Sequence, residues 1–262
     1  MTQTEIQDQT ATTGGIDTFI RHLKSPTGDI IRLVSVVLSL LCSVKKYANE
    51  AANQGVIPAL VAVLKLSHEP EVLVEVVNAI GVMCDGDIAR QTLLHNTNEG
   101  LPNMCSLLDD AVDSDLILAL TRALGRVSRK HEVNQNAIVD CKAMPVIIAL
   151  TNLKNRDIQL SAVDTIHHLV EGNSYTQRVT MREGAINPLM TLLKRSKTQV
   201  IQEKTAGALW GLAGDDGEER RAMAARMEVN LLIDFLGSLS EILHFIGSEG
   251  SYNLRLPSGI AG

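Results

Sequence analysis

The chain has 262 residues, 45% of them apolar and 21% charged, a composition that folds, with a formal net charge of −6. That charge argues against nucleic-acid binding, which needs a basic surface. Three Phe, three Tyr and one Trp are the only aromatics, so the core must be aliphatic.

Residues 1–14 read as a polar segment, disordered or holding a partial helix within Thr4–Gln9, without the basic and apolar regions of a secretory signal. The most apolar stretch, Leu33 to Val44, is about a dozen residues where a bilayer needs roughly 20. It reads as a buried helix, and no membrane partner is expected. Cys42, Cys84, Cys105 and Cys141 lie far apart with no CxxC spacing, so neither a zinc site nor a redox motif is supported. Four structural thiols in a reducing compartment are expected. The location reads as cytoplasmic, with nothing to separate cytoplasm from nucleus or cilium.

A repeat then governs the chain. Gly55-Val-Ile-Pro-Ala-Leu-Val-Ala-Val-Leu64 returns in altered form at Glu99–Leu108, Lys142–Leu150, Gly184–Leu193 and, more weakly, Glu228–Leu236. Matching positions Thr18, Pro58, Pro102, Pro145, Asn187 and Asn230 are 40, 44, 43, 42 and 43 residues apart. Val37, Ile80, Leu124, Ile166 and Leu209 form an independent ladder with the same step, echoed three residues later by Leu40, Met83, Val127, Leu169 and Leu212. Apolar residues recur at i, i+3, i+4 and i+7, and no sustained period-2 pattern occurs, so the chain is all-α. Gly55 and Gly184 turn the chain, prolines stand in first turns, and polar breaks such as Asp113-Ser-Asp115 and Asn155-Arg-Asp157 lead into the longest helix of each unit. So small a unit cannot bury its apolar face alone; stacking makes a solenoid.

These residues resemble the armadillo family, whose unit is three helices in about 42 residues. The likeness rests on Val56-Ile-Pro-Ala-Leu60, Gly184-Ala-Ile186 and Ala206-Gly-Ala-Leu209 before Leu212-Ala213, and covers nearly the whole chain. It implies a right-handed α-solenoid over residues 15–250, with units at 15–27 (partial), 28–69, 70–112, 113–154, 155–196, 197–238 and 239–250 (partial). Gln202–Asp216 looks most like the armadillo part of ankyrin-and-armadillo-repeat proteins. HEAT repeats, with two helices, are the structural alternative.

The resemblance also implies a role: third helices line a concave groove that binds an extended peptide, gripped by a Trp and an Asn four residues later. The corresponding pairs here are Ser35 and Ser39, Asn78 and Val82, Arg122 and Arg126, Asp164 and His168, and Gly207 and Gly211. No Trp or Asn stands in its family place, which argues against a reader of basic import signals. Arg122, Arg126 and Arg129 instead share one helix face, with Lys130 beside them. Arginine holds carboxylates and phosphates in bidentate fashion, so the expected partner is an acidic or phosphorylated protein segment docked across repeats three and four. A solvated face partly neutralised by Asp164 is the plainer alternative.

Other features weigh less. Gly81 and Gly125 suggest close helix approach. Gly207 and Gly211 read as packing or as an open groove floor, and Trp210 as packed against a neighbouring unit. Adjacent His167 and His168 should diverge around their helix and make a poor metal pair. Dinucleotide, phosphate-loop, zincin and hydrolase motifs are all missing, so no enzyme activity and no cofactor are expected. A protein-binding scaffold is the first expectation and a structural spacer within a larger repeat protein the second. At the C-terminus the ladder lands on Tyr252 and Arg255, and Pro257 follows. That pattern predicts a disordered tail over 251–262 and an uncovered apolar face near Leu231, Ile242, Leu243 and Phe245, through which self-association is expected.

Overall fold

A computed structural model describes residues 14–254. Its regular elements are seventeen helices, and no strand occurs among the described residues. The chain divides after Ala143 into two compact units. The first holds α1 (Gly15–His22) and α2 (Gly28–Cys42), then α3 (Lys45–Asn53), α4 (Val56–Leu66) and α5 (Pro70–Cys84), then α6 (Ile88–His95), α7 (Gly100–Asp110) and α8 (Ser114–Ser128), and finally α9 (Glu132–Asp140). The second holds α10 (Met144–Leu150) and α11 (Arg156–Val170), then α12 (Ser174–Arg182), α13 (Ile186–Arg195) and α14 (Gln199–Ala213), and lastly α15 (Gly217–Met227), α16 (Val229–Leu236) and α17 (Glu241–Asn253).

Five of these helices, α2, α5, α8, α11 and α14, are the third members of their repeats, and each is 15 residues long. They form the most extensive lateral contacts, α2 on α5 and α5 on α8 in the first unit and α11 on α14 in the second. The rungs of the apolar ladder make this packing: Ile80, Met83, Leu124, Val127, Ile166, Leu169 and Leu209 are fully buried and Leu212 nearly so. Each such side chain contributes about 1.5–3 kcal/mol by leaving water. Only the first rungs differ. Val37 is 41% and Leu40 59% exposed, because among the described residues no helix packs on that side of α2. Together with Ile30 and Leu33 they leave an apolar row along α2, and Val44 just beyond its end is exposed as well. At the other end Ile242 and Phe245 are exposed as expected, whereas Leu243 is buried and Leu231 half-buried. Helix α17 runs to Asn253, so residues 251–253, read from the sequence as tail, are helical. The partial helix expected within Thr4–Gln9 and the tail beyond Leu254 lie outside the described residues.

The turn between first and second helices recurs with a positive φ at Gly55, Asn98, Lys142, Gly184 and Glu228. Glycine reaches that region without Cβ strain, and Gly55 and Gly184 each have open space around the missing Cβ. A polar residue caps the N-terminus of the first helix in the later repeats: Asp87, His131, Asn173 and Asp216 accept from backbone N–H groups two or three residues on.

A second polar series points backwards. Arg90 Nε donates to the Met83 carbonyl, Asn134 Nδ2 to the Val127 carbonyl at 2.8 Å, and Thr176 Oγ1 to the Leu169 carbonyl at 2.5 Å. Arg220 Nε does the same for Gly214 at 2.7 Å. These are carbonyls at third-helix C-termini, which lack intrahelical partners. Asn134 also reaches the Gln91 carbonyl at 3.3 Å, and Gln91 Nε2 donates to the Arg126 and Arg129 carbonyls at 3.0 and 3.1 Å. Asn134→Leu leaves the Val127 carbonyl without its side-chain donor and should lower unfolding free energy by about 1–3 kcal/mol in urea titration.

Of the four cysteines, Cys42, Cys84 and Cys105 are buried and Cys141 is exposed. Burial pushes the Cys42 and Cys84 thiols up to about 12. Cys141 is different: a hydrogen bond with the Cys105 side chain lowers its pKa to about 7, and the same bond, with burial, raises that of Cys105. The thiolate is the reactive form. In the folded protein at neutral pH, iodoacetamide should therefore modify Cys141 first, and peptide mapping should find Cys42 and Cys84 unmodified until denaturant is added.

Candidate functional site

The accessible face of the third helices carries the residues selected by register, but not all reach it. Ser35 is fully buried and its Oγ donates to the Ile31 carbonyl at 2.9 Å; His168 is 7% exposed. These two are packed positions, not open groove contacts. Ser39, Asn78, Val82, Arg126, Asp164, Gly207 and Gly211 are half-buried, and Arg122, Arg129 and Lys130 are exposed.

In the first unit α8 brings Arg122, Arg126 and Arg129 onto one edge. Their counter-charge is Asp85, at the C-terminal end of α5: Arg129 donates to its Oδ1 at 3.3 Å and Arg126 Nε lies 3.7 Å from Oδ2. Asp164, expected to share in that neutralisation, lies in the second unit and has partners of its own there. Asp164 is engaged by Lys204 Nζ at 2.5 Å and faces His168 Nε2 at 3.6 Å. Burial opposes ionisation of Asp164, but hydrogen bonds from His168 and Lys204 outweigh it and hold the carboxyl well below the usual range. Arg122 has no ion pair among the described residues. Exposed pairs such as Arg126–Asp85 are worth about 0–1 kcal/mol, so both arginines can exchange Asp85 for another anion at little cost.

A hollow of about 320 Å³ opens beside this cluster, lined by Val82, Asp85, Arg126, Arg90, Lys45 and Cys42 among others. Three cations face one carboxylate. Lys45 and Arg90 also engage Asp87, at 3.9 and 3.1 Å. The second unit has a larger hollow of about 470 Å³ between the loops that follow α10 and α13, and its charged lining residues are Lys154, Arg156, Arg195 and Lys197. Neither hollow is a feature of any one segment of sequence, since each is assembled from loops or helix ends one repeat apart. Only the second hollow has a sequence signal: Lys154, Arg156, Arg195 and Lys197 recur in or beside the polar breaks that precede α11 and α14.

The glycines of this face resolve individually. A Cβ on Gly81 would stand 3.2 Å from Ala123 Cα and Cβ and 3.6 Å from Arg126 Cδ; the missing side chain seats α8 and the arginine stem on α5. Gly211 is similarly tight, 3.2 Å from Val170 Cγ2. Gly207 is not: its Cβ would meet His167 Nδ1 at an ordinary 3.6 Å. Trp210 is buried, and the Arg220 guanidinium lies 5.7 Å from its ring centroid. His167 and His168, expected to diverge, have ring centroids 5.4 Å apart. Burial, with His168 close by, lowers the His167 pKa.

A designed armadillo repeat protein superposes with a TM-score of 0.82, at 18% identity, over 90% of this chain and 98% of its own. The fold is that of armadillo-repeat proteins. A second designed armadillo repeat protein, solved in complex with the peptide (KR)4, matches with a TM-score of 0.78, at 18% identity, again over 90% and 98% of the two chains. In sequence the chain is 21% identical over 143 residues to the probable importin subunit alpha-A of Dictyostelium discoideum, covering 55% of this chain and 26% of that relative. No family model matches it.

Because armadillo packing turns on the third-helix crossings, the two glycines should respond oppositely. Gly81→Val is expected to destabilise by about 1–3 kcal/mol through overpacking. Gly207→Ala should stabilise by up to about 1 kcal/mol from helix propensity. Thermal or urea unfolding of the two variants checks both signs.

Proposed function

We propose that the chain is a non-enzymatic protein-binding module whose third-helix face takes an extended acidic or phosphorylated segment, held by Arg122 and Arg126 on α8 and Arg129 just past its C-terminus, with Asn78 and Val82 of α5 alongside. The observation that carries this is the arginine cluster on an accessible helix face, answered by the single carboxylate of Asp85. The adjoining hollow, with Lys45, Arg90 and Arg126, offers a place for an anionic side chain. The designed neighbour in complex with (KR)4 uses the same fold for a peptide of the opposite charge. Arginine in place of the family's Trp and Asn at positions 122 and 126 supports the reversal.

No described helix is long and apolar enough to cross a membrane, and free thiols favour a reducing, cytoplasmic setting. Gln202–Asp216 supports a kinship with ankyrin-and-armadillo-repeat proteins. A second reading, a structural spacer within a larger repeat protein, is favoured by the apolar row of α2 and by exposed Ile242 and Phe245; self-association would use the same surfaces.

Fluorescence anisotropy with a labelled Asp/Glu-rich peptide and its phosphorylated counterpart tests the binding reading. We expect saturable binding that weakens with salt, a loss of about tenfold or more in Arg122→Glu/Arg126→Glu, and tightening in Asp85→Asn. Equal binding of a Lys/Arg peptide, or no effect of the charge reversal at low salt, would discard it.

A further inference from the structure

We propose that the C-terminal turn of α11 is a zinc-binding site formed by His167, His168 and Glu171. One ring nitrogen from each histidine and a carboxylate oxygen of Glu171 all lie within 4.8 Å of one another. Zinc bonds of about 2.0–2.2 Å would draw them to about 3.4 Å apart in a tetrahedron. Glu171 follows His167 by four residues and His168 by three, the two spacings that bring helical side chains together. Its side chain is 36% exposed, so it has room to close.

The surroundings match what a metal-bound imidazole requires. A ligating histidine normally turns its other ring nitrogen to a carboxylate or backbone carbonyl, which fixes tautomer and orientation. His168 is arranged in this manner. Its Nε2 lies 3.6 Å from Asp164 Oδ2, and Lys204 fixes the other oxygen of that carboxylate at 2.5 Å. Its Nδ1 faces Glu171 Oε2 at 3.8 Å. His167 Nδ1 is sealed from solvent against α14, beside Gly207 and Gly211, which limits the ring's freedom. A cation here also sits at the C-terminal end of α11, the negative pole of the helix. Three protein ligands leave a fourth position on the accessible side for water. The site lies within the second unit and does not depend on the peptide-binding proposal.

The competing account of this cluster is His168 bridging the carboxylates of Asp164 and Glu171 without metal, and the experiment separates the two. The full chain, freed of metal by chelator, is titrated with zinc chloride by calorimetry and by competition with a chromophoric chelator. We expect one equivalent to bind. Glu171→Gln and His167→Gln should each weaken it at least tenfold, and Asp164→Asn, which touches no metal, by about 10–100-fold. Cobalt(II) added in place of zinc should give the intense visible bands of a tetrahedral ion. Circular dichroism establishes that each variant is folded; should His168→Gln unfold, Glu171→Gln on the half-exposed shoulder keeps the test intact. Absence of saturable zinc binding, unchanged affinity in Glu171→Gln, or a cobalt spectrum like that of the hydrated ion overturns the proposal.

Discussion

A 15-residue helix packed side by side with its equals hides its apolar flank, but it still ends in carbonyls that nothing within the helix can satisfy. In this chain the first helix of the following repeat meets that need. Arg90, Asn134, Thr176 and Arg220 each donate to a carbonyl at the end of the preceding third helix. The bond joins two helices across the tight connection between repeats, where no long apolar side chain would fit. It also fixes the angle at which each new repeat departs. Lateral burial supplies most of the free energy of stacking; this polar series supplies its register. An unmade bond of this kind costs more than a made one contributes, so the series acts as a constraint on which stackings are tolerated.

The same constraint shapes the binding face. Gln91 of α6 is occupied with the carbonyls of Arg126 and Arg129, which holds the end of α8 against α6, while both guanidinium groups reach Asp85. Gly81 lets α8 approach α5 and gives the Arg126 stem a seat. The charge cluster is therefore presented by packed backbone, with little entropy left to lose on binding. In the second unit the corresponding face is internally paired: Asp164 with Lys204 and His168, and His168 with Glu171. One face presents unbalanced positive charge, and the other a closed network of acids and imidazoles.

What the sequence made legible follows from what repeats. The apolar rungs recur at a fixed step because every repeat buries them in the same place, so the helices, their order and the αL turns at Gly55 and Gly184 could be read directly. The exposure of Val37 and Leu40 could not, since it depends on which neighbour stands beside α2, and identical residues serve as core or surface accordingly. The capping series was hidden for another reason. Arg, Asn and Thr do one job at matching positions, so chemical identity is lost while geometry is kept. A search for polar residues seven positions beyond each apolar rung would have found Arg90, Asn134 and Thr176.

The site residues show the limit of register alone. Registering against a family motif places positions on a helix face but does not tell which of them a neighbouring helix covers, and so Ser35 and His168 were read as open. Charge partners follow the same rule: the ladder points to Asp164, the acid one step later, whereas Asp85, at the C-terminal end of α5, lies where the side chains of Arg126 and Arg129 reach. Adjacent histidines on a helix start about 100° apart, which suggested divergence. Long side chains bend back toward a common neighbour when one is available, and here Glu171 at i+3 and i+4 is that neighbour. Angular separation at Cα sets where a side chain begins, and partner chemistry decides where it ends.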